Sequence, residues 1–140
     1  MSSFATSPPR VFWILSTLLL LWQLVGCAMY LGSVMLDSGA LAEREQAIAA
    51  LTPGWVTAAF AIAVWTGLGA AILLLLRRRL AIPAYFISLI AIIVQNIAWL
   101  IADIRALMLP VEMGVSIVVV LTGLFALWYS RRAAAKGWLR

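Results

Sequence analysis

The side chains that could do chemistry within the apolar stretches of this chain are carboxamides, hydroxyls and indoles: Gln23, Gln95 and Asn96, Thr66 and Thr122, and Trp22, Trp65 and Trp99. Carboxamides donate and accept hydrogen bonds, and indole rings offer flat apolar faces beside them. The chemistry they suit is recognition of a neutral, polar or polyhydroxylated molecule. Bond-making chemistry lacks its parts. There is no histidine, and Cys27 is the single cysteine, which removes the usual ligands of zinc, haem and iron–sulfur centres and any intrachain disulfide. Cys27 has no nearby cation to activate it, and no nucleophile–base pair can be assembled elsewhere. The expectation is a protein that is not an enzyme and that carries no metal and no cofactor.

Spacing groups these residues. Ser16, Gln23, Cys27, Tyr30 and Asp37 recur at intervals of seven, four, three and seven, one stripe of a helix. Ser88, Gln95, Trp99 and Asp103 form a second stripe with Asn96 beside it. Such stripes face other helices rather than hydrocarbon. Two readings follow. In the simpler one the amides and threonines are interhelical glue, each hydrogen bond contributing about 0.6 kcal/mol and up to ~1.7 kcal/mol. In the other, Gln23, Gln95 and Asn96 face one another across a small polar site. Thr66 and Thr122 then lie at similar depth, and Trp22, Trp65 and Trp99 flank the site. Trp22 and Trp65 fall at mid-helix, which predicts packing residues. A further pattern, Ala59, Ala63, Gly67 and Ala71, is a ridge of small residues that lets a neighbouring backbone approach. That neighbour is either this chain or a second copy.

The elements that position these residues are delimited by charge. Uncharged stretches run over 11–36, 46–76, 80–102 and 113–130, each long enough for the roughly 17–25 residues of a membrane span. With 66% hydrophobic residues and a mean hydropathy of +1.10, water is the wrong solvent for the chain. In hydrocarbon only helices or closed barrels satisfy the backbone. The five prolines fall at helix starts, with Thr52-Pro53 reading as N-cap and first residue. The prediction is an all-α, antiparallel four-transmembrane-helix bundle in one membrane domain, with helices 10–36, 53–76, 83–103 and 110–130. An outer loop spans 37–52, in which Leu41, Ile48 and Leu51 could form one face of a short surface helix. A tail of 131–140 suits an extension of the fourth helix.

Basic residues fix the orientation. Arg10, Arg77, Arg78, Arg79, Arg131, Arg132, Lys136 and Arg140 fall on one side. Arg44 and Arg105 share the other with Asp37, Glu43, Glu45, Asp103 and Glu112. By the positive-inside rule both termini are cytoplasmic. The net charge of +5 then reports topology and contact with the lipid bilayer, not nucleic acid. Trp13, Tyr85, Trp128 and Tyr129 are predicted at the inner interface, and Tyr30, Trp55 and Trp99 toward the outer one. Asp103 and Arg105 are placed to form a local ion pair that Glu112 could join.

Leu24-Val25-Gly26-Cys27 looks like a bacterial lipobox, but Ala28 to Leu36 stay apolar and favour a retained span over cleavage. The pairing of Gln23 and Thr66-Gly67-Leu68 with Gln95 and Thr122-Gly123-Leu124 is a faint parallel repeat. The second hairpin, from Pro53 through Ala61-Ile62-Ala63-Val64 and Arg77-Arg78-Arg79 to Pro83 and Ser88-Leu89, resembles uncharacterised small four-helix bacterial inner-membrane proteins, some automatically labelled sugar transporter. The resemblance implies a multi-pass protein of the bacterial inner membrane and no catalytic residue. A structural or accessory role, in contact with a partner membrane protein, needs only these features. The alternative is a transporter of a small neutral or sugar-like solute. Because four helices enclose little space, it would act as a homo-oligomer with the Ala59–Ala71 ridge as interface.

Overall fold

Four stretches of helix in the computed structural model, Arg10–Met35, Gly54–Leu75, Ala81–Leu100 and Pro110–Ala135, are long and apolar enough to cross a membrane. The structure describes residues 6–37, 39 and 41–140, so positions 38 and 40 of the expected loop lie outside the described residues. The helices are α1 (Arg10–Met35), α2 (Glu43–Leu51), α3 (Gly54–Leu75), α4 (Ala81–Ile97), α5 (Ala102–Leu107) and α6 (Pro110–Ala135), with a 3-10 turn at Ala98–Leu100. Among the described residues there is no strand.

Local chemistry moves several boundaries from their expected places. Pro53 is the N-cap of α3, not its first residue. Thr52 instead closes α2, its hydroxyl donating to the Ile48 carbonyl at 2.7 Å. α4 starts two residues before Pro83, which costs nothing because first-turn N–H groups have no intrahelical acceptor. The expected helix to Asp103 ends early. Asn96 Nδ2 donates to the Ile92 carbonyl of its own helix at 2.7 Å. The chain then tightens into the 3-10 turn, and Ile101 is extended at φ −70° and ψ 116°. Asp103 therefore sits on α5, exposed, and the expected stripe from Ser88 is broken beyond Trp99. At the other end α6 continues past Ser130 to Ala135, the extension expected of the tail, carrying Arg131 and Arg132 in its last turns, where cations suit the macrodipole.

α3 and α4 form the central hairpin, α1 packs on α3, and α6 packs on α4. Small residues make these approaches close. Ser88 donates to the Ala63 carbonyl across the α3–α4 contact at 2.7 Å, and Cys27 Sγ lies 3.6 Å from the Val64 carbonyl between α1 and α3. The ridge Ala59, Ala63, Gly67 and Ala71 is buried within the chain, so it is no interface for a second copy here.

At the arginine-rich end the four long helices converge on one apolar cluster. Phe12, Leu19, Ala70, Leu74, Tyr85 and Tyr129 are among its buried members. Tyr85 and Tyr129, expected at an interface, belong to this core; Trp13 and Trp128 are exposed. The chain seals this end with two matching helix stops. Arg78 N–H bonds Leu73 O and Arg77 N–H bonds Leu74 O after α3; Trp138 N–H bonds Ala133 O and Gly137 N–H bonds Ala134 O after α6. Both are Schellman motifs, which need a left-handed residue, here Arg77 at φ 58° and Gly137 at φ 72°. The reversal after Gly137 returns the tail over the helix ends. Arg79 N–H donates to Arg140 O and Arg140 N–H to Arg77 O, Arg77 Nε donates to Trp138 O, and Leu139 is buried in the core.

Candidate functional site

α1 and α6 meet at the arginine-rich end, where the Phe12 ring stacks on Tyr129 with centroids 6.4 Å apart. Toward the acidic end they separate. A cavity of about 420 Å³ lies between them, with α3 and α4 as its back wall. Trp22, Gln23, Gln95, Asn96 and Trp99 all line it. The structure thus brings together the three amides and two of the three tryptophans singled out from sequence.

Gln23 is held by a glycine. A Cβ on Gly67 would fall 2.6–2.7 Å from the Gln23 carboxamide atoms, closer than any real side-chain contact, so the amide lies flat against α3 only because residue 67 has no side chain. The threonines of the faint repeat take no part. Thr66 Oγ1 donates to Ile62 O and Thr122 Oγ1 to Val118 O, each within its own helix. The other glycine of the repeat, Gly123, also lines the cavity but approaches Leu89 and Ile92 rather than an amide. Trp65 is also outside the cavity. It is 46% exposed, touching Tyr30 edge-on at 6.5 Å, and Trp22 is 38% exposed. Neither is the packing residue that mid-helix position predicts.

What the polar groups lack is as informative as where they sit. Among the described residues, neither the Gln23 nor the Gln95 carboxamide has a hydrogen-bond partner; Asn96 has spent only its Nδ2, on Ile92. Trp99 Nε1 is buried with no acceptor. Buried polar groups in folded proteins are nearly always bonded, and leaving one unmade costs roughly 1–3 kcal/mol. Interhelical glue would show amide-to-amide or amide-to-backbone bonds between helices, and these side chains make none.

A second cavity of about 430 Å³ lies at the acidic end. Phe60, Gln95, Trp99 and Glu112 line both cavities, which makes this one a vestibule to the first. α2 lies over it, contributing Arg44, Glu45 and Ile48. Arg44 fastens that helix. Its Nη2 donates to Glu112 Oε1 at 2.8 Å and its Nη1 to Glu112 Oε2 at 3.0 Å and Leu107 O at 3.0 Å. The Glu112 carboxylate raises the pKa of Arg44 above its ordinary value through this hydrogen bond and itself accepts from the Leu109 N–H at 2.8 Å. The ion pair expected between Asp103 and Arg105 does not form; Arg44–Glu112 is the one salt bridge among the described residues. Sequence offered a partial signal, since Arg44 and Arg105 are the only cations at this end, but five acids compete for them.

Among the described residues no three His, Cys, Asp or Glu side chains converge. No described protein family, curated protein or solved structure matches this chain.

Proposed function

We propose that this chain is a multi-pass protein of the bacterial inner membrane, both termini cytoplasmic, that binds a small uncharged hydrogen-bonding solute between α1 and α6 and carries it across the bilayer. The segregation of charge supports the orientation. Eight cations and no acid fall at one end of the long helices, and every acid falls at the other, as the positive-inside rule requires. The observation that carries the binding reading is the pair of unbonded carboxamides, Gln23 and Gln95, on one cavity of a size common for small-molecule sites, about 300–1,000 Å³. A vestibule under α2 supplies an outer approach, and the packed arginine-rich half closes the inner one, as in an outward-facing carrier.

The test is thermal stability of the detergent-purified protein across sugars, polyols and small uncharged metabolites, beside a Gln95→Leu/Asn96→Leu variant. Stabilisation of the wild type by one ligand class, absent in the variant, supports the reading, and uptake into liposomes should follow. If no ligand acts and the variant only melts earlier, the amides are structural. An accessory role is the second reading. It is favoured by α6, which buries little of its length and leaves Val111, Ile117, Leu121 and Leu124 exposed, a face that a partner membrane protein or a second copy could cover. Co-purification of a stoichiometric partner would favour it.

A further inference from the structure

We infer that the solute is an amphiphile: an apolar chain bearing an uncharged hydroxyl- or amide-rich head, entering sideways from the bilayer between α1 and α6. This rests on the binding reading above and narrows its substrate class. Four observations lead to it.

The first is where the cavity opens. Trp22, Val25 and Met29 of α1 and Val111 and Val115 of α6 line the cavity and stay accessible, while α1 packs on α3 and α6 on α4 with a gap between the two. The mouth is that gap, in the side of the bundle. In a membrane-spanning chain that side faces hydrocarbon.

The second is depth. The polar groups are set behind the mouth: Gln23 lies flat on Gly67 of α3, and Gln95 and Trp99 come from α4 and the turn that follows it. The apolar residues stand in front. A ligand satisfying both layers is polar at its inner end and apolar at its outer end.

Charge is the third. The cavity is lined by no cation, and its one ionised residue, Glu112, is already paired with Arg44. A phosphate head would meet a carboxylate and nothing to neutralise it. Hydroxyls or amides would meet two free carboxamides and the Asn96 Oδ1 acceptor, a mixed set that reads groups able both to give and to accept.

The fourth is that the other routes are narrowed. The arginine-rich half below is solid core, and Arg44 holds α2 across the vestibule above. The lateral gap is the opening that no hydrogen bond crosses among the described residues.

The experiment uses the full chain in phosphatidylcholine nanodiscs with a monoacylglycerol carrying a diazirine on its acyl chain. Adducts are expected on the peptides holding Trp22–Met29 and Val111–Val119. Excess unlabelled monoacylglycerol should suppress them by tenfold or more, and free hexose should not. Gln23→Leu/Gln95→Leu should weaken that competition by roughly tenfold, the equivalent of about 1.4 kcal/mol. Should that variant fold poorly, Val115→Trp, a change at an exposed position of the mouth, should abolish labelling while leaving the melting temperature near that of the wild type. Labelling spread over all exposed helix faces and unaffected by competitor would reduce the signal to annular lipid and overturn the inference. If hexose competes and stabilises while monoacylglycerol does neither, the amphiphile is wrong and the binding site stands. If neither ligand competes or stabilises, both fall.

Discussion

The two halves of this bundle are built from the same helices and from similarly apolar sequence, yet one is closed and the other open. At the arginine-rich end, Phe12, Tyr85 and Tyr129 fill the centre, alanines bring the backbones close, and the returning tail adds Trp138 at 5.9 Å from Phe12. At the acidic end the centre holds amides that bond to nothing across the gap, and α1 and α6 part around them. In lipid there is no hydrophobic force to pull apolar helices together, so association depends on shape and hydrogen bonds. A half-bundle with rings and small residues closes; one with unpaired amides and valines along its edges need not. Hydrophobicity is therefore a poor guide to which part of a membrane protein is core.

The contrast can be broken most severely at its closed end. Phe12→Ala should destabilise the protein by about 2 kcal/mol in an unfolding titration. That is below the roughly 3–5 kcal/mol of a water-soluble core, because the unfolded chain in lipid still hides the ring from water. Trp65→Ala, a larger truncation at an exposed site, should change stability little. Equal losses would mean the halves are packed alike.

Gly67 offers a sharper test. Gly67→Ala should gain about 0.8–1 kcal/mol of helix propensity and still lower stability by about 1 kcal/mol overall through the clash with Gln23, the range of an overpacked core. Removing the amide in Gly67→Ala/Gln23→Ala should restore it. Failure of the double variant to recover would show that Gln23 is not seated on α3. Gly123→Ala, which meets only the ends of Leu89 and Ile92 at 3.2–3.3 Å, should cost less.

A smaller effect is expected at the roof. Arg44→Ala should leave the melting temperature nearly unchanged but speed the reaction of a Thr57→Cys thiol in the vestibule with a polar maleimide, in a Cys27→Ser background. The exchange Arg44→Glu/Glu112→Arg should slow it again. An unchanged rate in Arg44→Ala would mean α2 is held by other contacts. The smallest effect belongs to Thr122→Val, whose hydroxyl bonds only within α6; its stability should stay within about 0.6 kcal/mol of wild type.

How much of this was legible beforehand follows from range of interaction. Helix existence depends on local hydropathy and charge, and the expected long helices recur within a few residues at most boundaries. The exceptions, Pro53 and Asp103, turn on a single hydrogen bond or turn geometry that hydropathy does not encode. Stripe analysis found Gln23 and Gln95, because both face neighbouring helices. It extended to Trp99 and failed at Asp103, where the helix stops. Mid-helix depth placed Trp65 inside when it lies outside, since depth says nothing about direction around the axis. The Arg44–Glu112 pair spans 68 residues, and the seating of Gln23 on Gly67 joins two helices; neither has a local signature. The spacing of Ala59, Ala63, Gly67 and Ala71 marked the ridge but not which neighbour it would receive.

The most direct test of the ligand site uses the three glutamines of this chain, Gln23, Gln46 and Gln95. Gln46 is exposed on α2, its Nε2 already donating to Leu41 O at 2.9 Å, and so serves as an internal control. In protein labelled with ¹⁵N at glutamine, the side-chain NH₂ resonances of Gln23 and Gln95 should move together on titration with monoacylglycerol while that of Gln46 stays still. Stationary Gln23 and Gln95 signals, or equal movement of all three, would contradict a ligand site between α1 and α6.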